Sequence, residues 1–589
     1  MKSILLVVTA TAALAATSHA QQTSGAAASP DNNRGQGNVP TQHNEATVAQ
    51  LRAEMQQGKL TSEELTREYI ARILALDQGE NGVNSIIELN PDAVEMAKNA
   101  DKLRKRGQVL GPLHGMPVLL KDNIDTGDRM QTSAGSFALV GRPALQDSTV
   151  AAKLRAGGAV ILGKTNLSEW ANFRSFYASS GWSGRGGQNN NPYALDRNPC
   201  GSSSGSAAAV SANFAAVSYG TETDGSIVCP GNANGVAAIK PTVGLTSRAG
   251  VIPISHTQDS VGPHGRTVAD AAAGLSAIVS DTPDPRDSAT AGVPLGWTGR
   301  TRPTNIPKDY TRFVDPNGLR GARIGFTRGY DPNSLTPQIA EALQAAFDAL
   351  TAAGATVIDL DAAGFTFPPA EGEFLVLAYE FRDDVAAYFQ TREGVPVAKG
   401  TLQTAIDFNN AHADVEMPFF GQEIFELCAA LERGPDAAQP LFGGMSYSQA
   451  LENDRLSGVN GIDKAIAQYN LDAIVSATDN PPWVTDLIYG DRFIFGTSGL
   501  AAAPGYPIVQ VPAGIVLGVP FGISFYGTAF SEPTLIKLAS GYEAATQARA
   551  KNPPTFAHKV PSAGIEGTTL TKRRGGKIKD ARKKMPRHL

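Results

Sequence analysis

A stretch rich in glycine and serine, residues 198–242, contains the residue types best suited to covalent chemistry. Its serine hydroxyls could act as nucleophiles if a neighbouring base removed their proton. Glycine lets consecutive backbone N–H groups converge on one point, where they could stabilise an oxyanion. Clusters of this kind are usually linkers or turns, but this one continues into the small-residue segment 207–212 inside a predicted α/β body. We therefore predict a catalytic site here rather than a linker.

Other hydrolase motifs fit this stretch less well. Residues 201–205 match the G-x-S-x-G nucleophile elbow, but that motif requires a preceding strand, and residues 196–200 have the composition of a turn. Neither a Ser-x-x-Lys pair nor H-E-x-x-H occurs, and the eight histidines have no metal-ligand spacing, so no metal site is predicted. A serine–histidine relay stays open, with His114, His256 and His264 as candidates.

A lysine could supply the base, provided that its amine is uncharged. Lys121 follows the apolar residues 117–120, which are typical of a buried strand. Burial disfavours the ammonium form, and lowering the amine pKa from about 10.4 by roughly three units costs about 4 kcal/mol. A lone lysine after an apolar strand is usually a surface residue, so this assignment depends on the neighbouring motifs. Lys164 and Lys240 could compete for the same role.

Apolar periodicity along the rest of the chain alternates between strands and helices, which predicts an α/β sheet with helices on both faces. The predicted strands are residues 85–89, 117–120, 159–162, 323–326, 356–360, 473–476, 508–511 and 523–526. The predicted helices are residues 51–57, 63–76, 91–106, 150–156, 268–279, 337–353 and 534–547. Thr61 and Glu64 fit a capping box. Residues 361–472 are more helical and irregular, and suit an insertion that covers the substrate.

The two ends of the chain differ in composition from its body. Residues 1–20 combine a positive start, a short apolar stretch and a small-x-small cleavage site, which predicts a signal peptide and a secreted or periplasmic protein. Residues 21–45 predict a disordered lead-in. Residues 556–589 carry ten lysines and arginines against two acids, which predicts a flexible basic tail. The net charge of -5 argues against nucleic-acid binding, and no later segment is long and apolar enough to span a membrane.

The chain contains three cysteines, which are too few for a disulfide scaffold. Cys200 and Cys229 flank the glycine- and serine-rich motif, whereas Cys428 is distant from it. The sequence leaves two alternatives open for the first two: a disulfide or a pair of buried thiols.

Four segments together resemble the amidase signature enzymes: residues 111–122, 163–170, 200–206 and 220–230, the last followed by Lys240-Pro241-Thr242. The resemblance runs from about residue 51 to residue 547. It implies one large domain at residues 46–555, with a signature core at about 111–280. It also implies the α/β fold of that family, a central mixed, twisted β-sheet covered by helices on both faces.

Carried over position by position, the resemblance implies roles for individual residues. Ser226 falls on the family's nucleophile, Ser202 on its bridging serine, which follows a cis peptide, and Lys121 on its catalytic lysine. The oxyanion hole would be formed by the backbone amides of Thr223, Asp224, Gly225 and Ser226. This set implies hydrolysis of carboxamides through a Ser-Ser-Lys triad and an acyl-serine intermediate, without a metal or organic cofactor.

Within the family, residues 181–188, 199–206 and 220–230 are most similar to the bacterial peptide amidases, which release ammonia from peptide C-terminal amides. A substrate cleft is expected to include Trp182, Arg185 and Asp224. Asp224 and Ser204 stand where the family usually has glycine, and the Asp224 carboxylate should affect which substrates are accepted. The polar side chains predicted to act as scaffolding are those of Asn166, Glu169 and Asn172.

Three other functions stay open. They are an aryl or acyl amide hydrolase of the same family, a transamidating subunit that acts on misacylated tRNA, and a catalytically inactive binding scaffold. The predicted signal peptide argues against the transamidating function, and the complete triad argues against the scaffold. The expected partner is a peptide or small-molecule amide, with no nucleic acid; the oligomeric state is open, and a monomer is plausible.

Overall fold

Thirteen strands occur in the residues that the computed structural model describes, which are 39–79, 81–328 and 336–560. They are β1 (Ile86–Leu89), β2 (Pro117–Lys121), β3 (Val160–Thr165), β4 (Trp182–Ser183), β5 (Gly187–Gln188), β6 (Val217–Glu222), β7 (Ala237–Lys240), β8 (Ser260–Gly265), β9 (Arg323–Phe326), β10 (Thr356–Asp359), β11 (Ala473–Ala477), β12 (Ile508–Val516) and β13 (Val519–Tyr526). Eleven of them form one sheet in the order β1-β3-β2-β6-β8-β7-β12-β13-β11-β9-β10, and β4 pairs with β5 separately.

The sheet is mixed, with parallel pairs towards both ends. Strand β2 runs parallel to both β3 and β6, and β9 runs parallel to both β10 and β11. Antiparallel pairs of β8, β7, β12 and β13 join these two groups, and β1 closes one edge antiparallel to β3. Residues from Pro40 onward belong to one unit, so the predicted single-domain α/β fold is confirmed.

Seventeen α-helices accompany the strands within the same residues. They are α1 (Val48–Gln56), α2 (Ser62–Leu76), α3 (Ala93–Lys105), α4 (Thr149–Ala156), α5 (Ser204–Ser211), α6 (Val228–Ala233), α7 (Val268–Ile278), α8 (Pro337–Ala352), α9 (Glu373–Thr391), α10 (Leu402–Ala411), α11 (Ala413–Glu416), α12 (Glu423–Ala430), α13 (Tyr447–Gly458), α14 (Lys464–Tyr469), α15 (Gly499–Ala502), α16 (Glu532–Thr546) and α17 (Ala548–Lys551). Thr61 caps α2 reciprocally with Glu64, as its sequence predicts. None of these helices combines the length and apolarity that a bilayer crossing requires.

The parallel group around β2 determines where the candidate catalytic residues lie. All five residues of β2 are buried, as expected for a central strand that is covered on both faces. Because β2 and β6 are parallel neighbours, their carboxyl ends meet at the same edge of the sheet. Lys121 is the last residue of β2, and the loop that begins at Thr223 follows the last residue of β6. The topology therefore brings these two segments together.

Most elements predicted from periodicity are present, with boundaries shifted by a few residues. The structure adds β6, β7 and β8 inside and just after the glycine- and serine-rich region, where periodicity gives no strand signal because small residues occupy both faces. It also lengthens the two predicted strands near residues 508 and 526 into the hairpin of β12 and β13. The irregular segment at 361–472 contains α9 to α14.

The predicted ends of the domain need correction. The carbonyl oxygen of Pro40 accepts a hydrogen bond from Arg72, and Glu45 forms an ion pair with Arg549, so residues 40–45 belong to the folded body rather than to a disordered lead-in. At the other end, Phe556 N–H donates to the carbonyl oxygen of Pro192 at 2.8 Å. Phe556 is therefore bound to the folded body, and the flexible basic tail stays a prediction for the residues beyond it. The predicted signal peptide and residues 561–589 lie outside the described residues.

Candidate active site

The amine of Lys121 lies in a small polar site at the end of β2. Its Nζ is 2.8 Å from Oγ of Ser202, 2.9 Å from Oγ1 of Thr221 and 3.3 Å from the Thr221 carbonyl oxygen. Asn123 donates a further hydrogen bond to the Thr221 hydroxyl. The Gly201–Ser202 peptide is cis, as the family resemblance implies. A lysine and a serine that are 81 residues apart in sequence are therefore in direct contact.

Burial gives this lysine the character of a base. The Lys121 side chain is 0% exposed, and burial lowers its pKa to about 7, although the carboxylates of Asp259 and Glu222 act in the opposite direction. Near neutral pH, a large fraction of the amine is then uncharged and has a free lone pair. An amine in that state can accept a proton from a serine hydroxyl.

The two competing lysines have different surroundings. Lys164 Nζ donates to the carbonyl oxygen of Ile124 and to the hydroxyl of Thr132, both at 2.8 Å. Lys240 Nζ donates to the carbonyl oxygen of Tyr506 at 2.7 Å. Burial lowers the pKa of both amines, but neither forms a hydrogen bond with a serine of the motif among the described residues. Their contacts leave Lys121 as the candidate base.

The loop that follows β6 is the predicted oxyanion hole. Glu222 Oε2 accepts hydrogen bonds from the amides of Ile227 and Val228 and so anchors the turn. Gly225 has a φ of 79°, a conformation that glycine adopts without strain. Within the described part of the chain, the backbone amides of residues 223–226 donate no hydrogen bond to any protein group. These N–H groups are therefore free to bind a developing negative charge.

A cavity of about 560 Å³ opens beside this loop. Ser226 lies on its wall and is 8% exposed, and Gly201, the residue before Ser202, lines the same cavity. Leu377 of α9 also lines it, so the helical segment 361–472 contributes one residue to the cavity wall. The cavity is large enough for a small peptide segment beside the candidate nucleophile.

Only one of the three residues expected in the substrate cleft lines this cavity. Asp224 does so, and its side chain is accessible from the cavity. Trp182 is instead buried and packs edge-on against Phe419 and Phe420. Arg185 forms ion pairs with Glu88 and Asp122 elsewhere. The expectation for Trp182 and Arg185 is therefore corrected, because intramolecular contacts occupy both side chains.

The three scaffolding residues differ in their roles. Asn166 accepts a hydrogen bond from Ser183 Oγ and receives the Gly205 amide on its backbone carbonyl, close to the start of α5. Glu169 pairs with Arg174 at 2.8 Å. Both residues hold local structure, as predicted. Asn172, by contrast, lines the cavity, and its buried Oδ1 has no partner in the described residues.

The histidines do not support a serine–histidine relay. His264 Nε2 contacts the carbonyl oxygen of Ile227 at 2.9 Å, and burial lowers the pKa of this imidazole to about 4. His114 contacts the carbonyl oxygen of Ala100. His256 contacts Asp384 and is more than half exposed. In the described residues none of the three has a hydrogen bond to Ser202 or Ser226.

A disulfide joins Cys200 to Cys229, which resolves the alternatives that the sequence leaves open. Cys200 directly precedes the cis-peptide segment, and Cys229 lies in α6, three residues after Ser226. Both cysteines line the cavity. The bond therefore ties together the two loops that carry the serines.

Sequence reasoning missed two residues of this site. Thr221 supplies two of the three oxygens around the Lys121 amine, although it lies inside a segment that the motifs single out. Asp479 lines the cavity from the opposite half of the chain, directly after β11. Polar residues that follow a buried apolar strand, here residues 478–480, are the signal that could have identified it.

Comparison with known proteins agrees with this geometry. A family model described as Amidase matches residues 64–536, most of the chain. The chain belongs to the amidase signature family. It is 42% identical over 525 residues to a probable amidase of Arabidopsis thaliana, a match that covers 87% of this chain and 92% of that protein. The protein is an amide hydrolase.

Two further relatives of this amidase carry different names. The solved structure of the native peptide amidase from Stenotrophomonas maltophilia matches with a TM-score of 0.76 and 45% identity, covering 88% of this chain and 100% of that chain. A glutamyl-tRNA(Gln) amidotransferase subunit of a Synechococcus species is 30% identical over 524 residues, covering 88% of this chain and 96% of that protein.

Proposed function

We propose that this amidase removes the terminal amide from the C-terminus of peptides and releases ammonia. The observation that carries the proposal is the buried contact between Lys121 and Ser202 beside a cavity lined by Ser226. The 45% identity to a peptide amidase, over nearly the whole chain, supports the choice of substrate. We also propose that the enzyme is exported, on the basis of the signal-peptide pattern in residues 1–20.

The proposed reaction begins with a proton relay. The neutral Lys121 amine has two N–H donors and one lone pair; the Thr221 carbonyl accepts one donor, because a carbonyl oxygen cannot donate. When the Thr221 hydroxyl accepts the other donor, the lone pair is available to the hydroxyl of Ser202. Ser202 then donates its proton to Lys121 and takes the proton of Ser226 as that oxygen attacks the amide carbon.

The second half of the reaction uses the same groups in reverse. The amides of the loop at 223–226 stabilise the tetrahedral oxyanion. The proton returns through Ser202 to the departing nitrogen, the C–N bond breaks, and ammonia leaves an acyl-Ser226 ester. Water then gives its proton to the relay, attacks the ester and releases the carboxylic acid, which restores the Ser226 hydroxyl.

The test is a substrate panel with the purified chain alone. Peptide C-terminal amides, acyl anilides and fatty amides are compared by ammonia or amine release, and we expect the highest kcat/KM for the peptide amides. Ser226→Ala should lower kcat by about 10⁴-fold or more, because the covalent step is lost. Ser218→Ala is the matched control, since it removes a buried serine hydroxyl that bonds to the Ser206 carbonyl away from the cavity. Normal turnover by Ser226→Ala would contradict the mechanism.

Transamidation is the second candidate, and the 30% identity to a glutamyl-tRNA(Gln) amidotransferase subunit favours it. A chain with that function is expected to need partner subunits and a misacylated tRNA. Ammonia release from a peptide amide by the chain alone separates the two candidates. A chain that is inactive on every amide until partner subunits are added would support transamidation instead.

A further inference from the structure

The cavity beside Ser226 has a strongly acidic wall. Asp224, Asp479 and Asp491 line it, and within the described residues no lysine, arginine or histidine does. An acidic wall alone does not define a binding site, because carboxylates are often neutralised by hydrogen bonds from the protein itself. The partners of each carboxylate decide the question.

Asp491 is fully occupied by the protein. Its Oδ1 accepts the amide of Ser180 at 2.9 Å and Nδ2 of Asn198 at 3.3 Å, and its Oδ2 accepts the hydroxyl of Ser180 at 2.6 Å. These contacts fasten the loop at Ser180 to the loop at residue 491. Asp491 is therefore a structural carboxylate with little capacity for a ligand.

Asp479 is the opposite case. Its side chain is 0% exposed, and neither carboxylate oxygen has a hydrogen-bond partner in the described part of the chain. A buried carboxylate without partners is costly, unless it holds a proton or receives a cation. Burial raises the Asp479 pKa, and the nearby charges of Asp224 and Glu222 raise it further. The surroundings therefore disfavour an isolated negative charge and would favour one that is paired with a cation.

The described residues do not supply that cation. Of the buried lysines near the cavity, Lys121 contacts Ser202 and Thr221, and Lys240 contacts the carbonyl oxygen of Tyr506. Asp224 has a hydrogen bond with the hydroxyl of Ser498, which is uncharged and so does not neutralise the carboxylate. A positive charge that enters the cavity is therefore the natural partner for Asp479, with Asp224 adding to the attraction.

Two glycines lie against the two carboxylates. A Cβ atom at Gly496 would lie 2.4 Å from Oδ1 of Asp479, and one at Gly499 would lie 3.5 Å from Oδ2 of Asp224. Any larger residue at position 496 would therefore collide with the Asp479 carboxylate. Both glycines line the cavity, so a ligand can approach closely where side chains are missing.

We propose that Asp479, assisted by Asp224, forms a subsite for a positively charged group of the substrate, an ammonium or a guanidinium. The inference rests on the proposed function, because the same cavity holds Ser226. It narrows the substrate class to amides that carry a cation within reach of the reacting carbonyl. That cation comes either from a basic side chain or from a free α-amino group.

Two substrate pairs, each with a cationic and a neutral member, distinguish these sources. Acetyl-lysine amide is compared with acetyl-norleucine amide, and leucine amide is compared with acetyl-leucine amide. We expect the cationic member of at least one pair to have a kcat/KM about tenfold higher or more, because charge-assisted contacts in a buried site are strong. Asp479→Asn should bring the kcat/KM values of the cationic and the neutral member of that pair together, whatever its effect on the neutral member alone. Equal kcat/KM values within both pairs, or a preference that persists in Asp479→Asn, would overturn the proposal.

Asp454→Asn is the matched control. Asp454 is also buried with both carboxylate oxygens unpartnered in the described residues, but it does not line the cavity, so its loss should leave the preference intact. Loss of the preference in Asp454→Asn as well would overturn the assignment to Asp479. If Asp479→Asn fails to fold, the wild-type enzyme is tested with two inhibitors of similar size, n-butylammonium and 1-butanol. Tighter inhibition by the cation supports the subsite. Equal inhibition constants contradict it.

Binding to Ser226→Ala separates this proposal from the proposed function. Calorimetry with acetyl-lysine amide, leucine amide and their neutral partners reports the subsite without any turnover. Cation-selective binding together with an absence of ammonia release from the wild type would keep the subsite and refute the peptide amidase assignment. Ammonia release from peptide amides without cation-selective binding would support the peptide amidase assignment and refute the subsite.

Discussion

Two strands of the sheet end in a buried lysine, but the two amines have different contacts. Strand β2 ends in Lys121 and β7 ends in Lys240, and both side chains are completely buried with pKa values lowered by burial. Both amines donate to a carbonyl oxygen, and Glu222 acts on the charge of both, but only Lys121 also contacts hydroxyl groups, those of Ser202 and Thr221. Burial makes an uncharged amine available, but only a hydroxyl partner gives it a proton to accept. The contacts of the amine, not its burial, separate the candidate base from the structural lysine.

Of the changes that test this comparison, replacement of the candidate base Lys121 should lower activity the most. Lys121→Met keeps an unbranched apolar side chain in the buried site and should lower kcat/KM by about 10³-fold or more, because general-base assistance is lost. Steady-state ammonia release measures the effect, and circular dichroism confirms that the variant is folded. Wild-type turnover by Lys121→Met would show that another group removes the serine proton.

The pH profile should follow the ionisation of the same amine. Since the neutral amine accepts the proton and burial places the pKa of Lys121 at about 7, the rate should fall as the pH drops below that value. For a substrate that does not titrate, kcat/KM should fall about tenfold per pH unit on the acid side and level off above it. A rate that stays constant down to about pH 4 would contradict a lysine base.

The smallest expected effect on activity is that of the structural lysine. Lys240→Met should leave kcat/KM within about tenfold of wild type, but it should lower the free energy of unfolding by about 1–3 kcal/mol, since the buried Tyr506 carbonyl loses its donor. Urea denaturation measures the loss. A drop in turnover as large as that of Lys121→Met would mean that the two amines act in one network.

The limits of sequence-based prediction follow from the distance between contacting residues. The apolar run before Lys121 predicts a buried strand, because a continuous run of apolar residues can be recognised from the local sequence alone. The contact between Lys121 and Thr221 joins residues 100 apart, and only the pairing of β2 with β6 brings them together. The family resemblance points to Lys121, Ser202 and Ser226, and the structure shows the contact between Lys121 and Ser202. The resemblance carries no information on Thr221.

The proposed recognition side of the cavity is harder to predict from sequence than the proposed catalytic side. Trp182 and Arg185 have side chains of the types that suit a cleft, yet aromatic packing and ion pairs occupy them. Asp479 follows an ordinary apolar strand and belongs to no motif, so its lack of partners among the described residues is visible only in three dimensions. A missing contact leaves no trace in a sequence.

The lysine and serines of the proposed relay belong to segments before residue 230, whereas Asp479, Gly496 and Gly499 all belong to the connection between β11 and β12. Asp224 excepted, the proposed relay and the proposed cation subsite are therefore encoded in separate stretches of the chain. Mutation or exchange of the later connection could diversify the accepted amides and leave the reaction itself unaltered. For enzyme engineering, that connection is the place to randomise first.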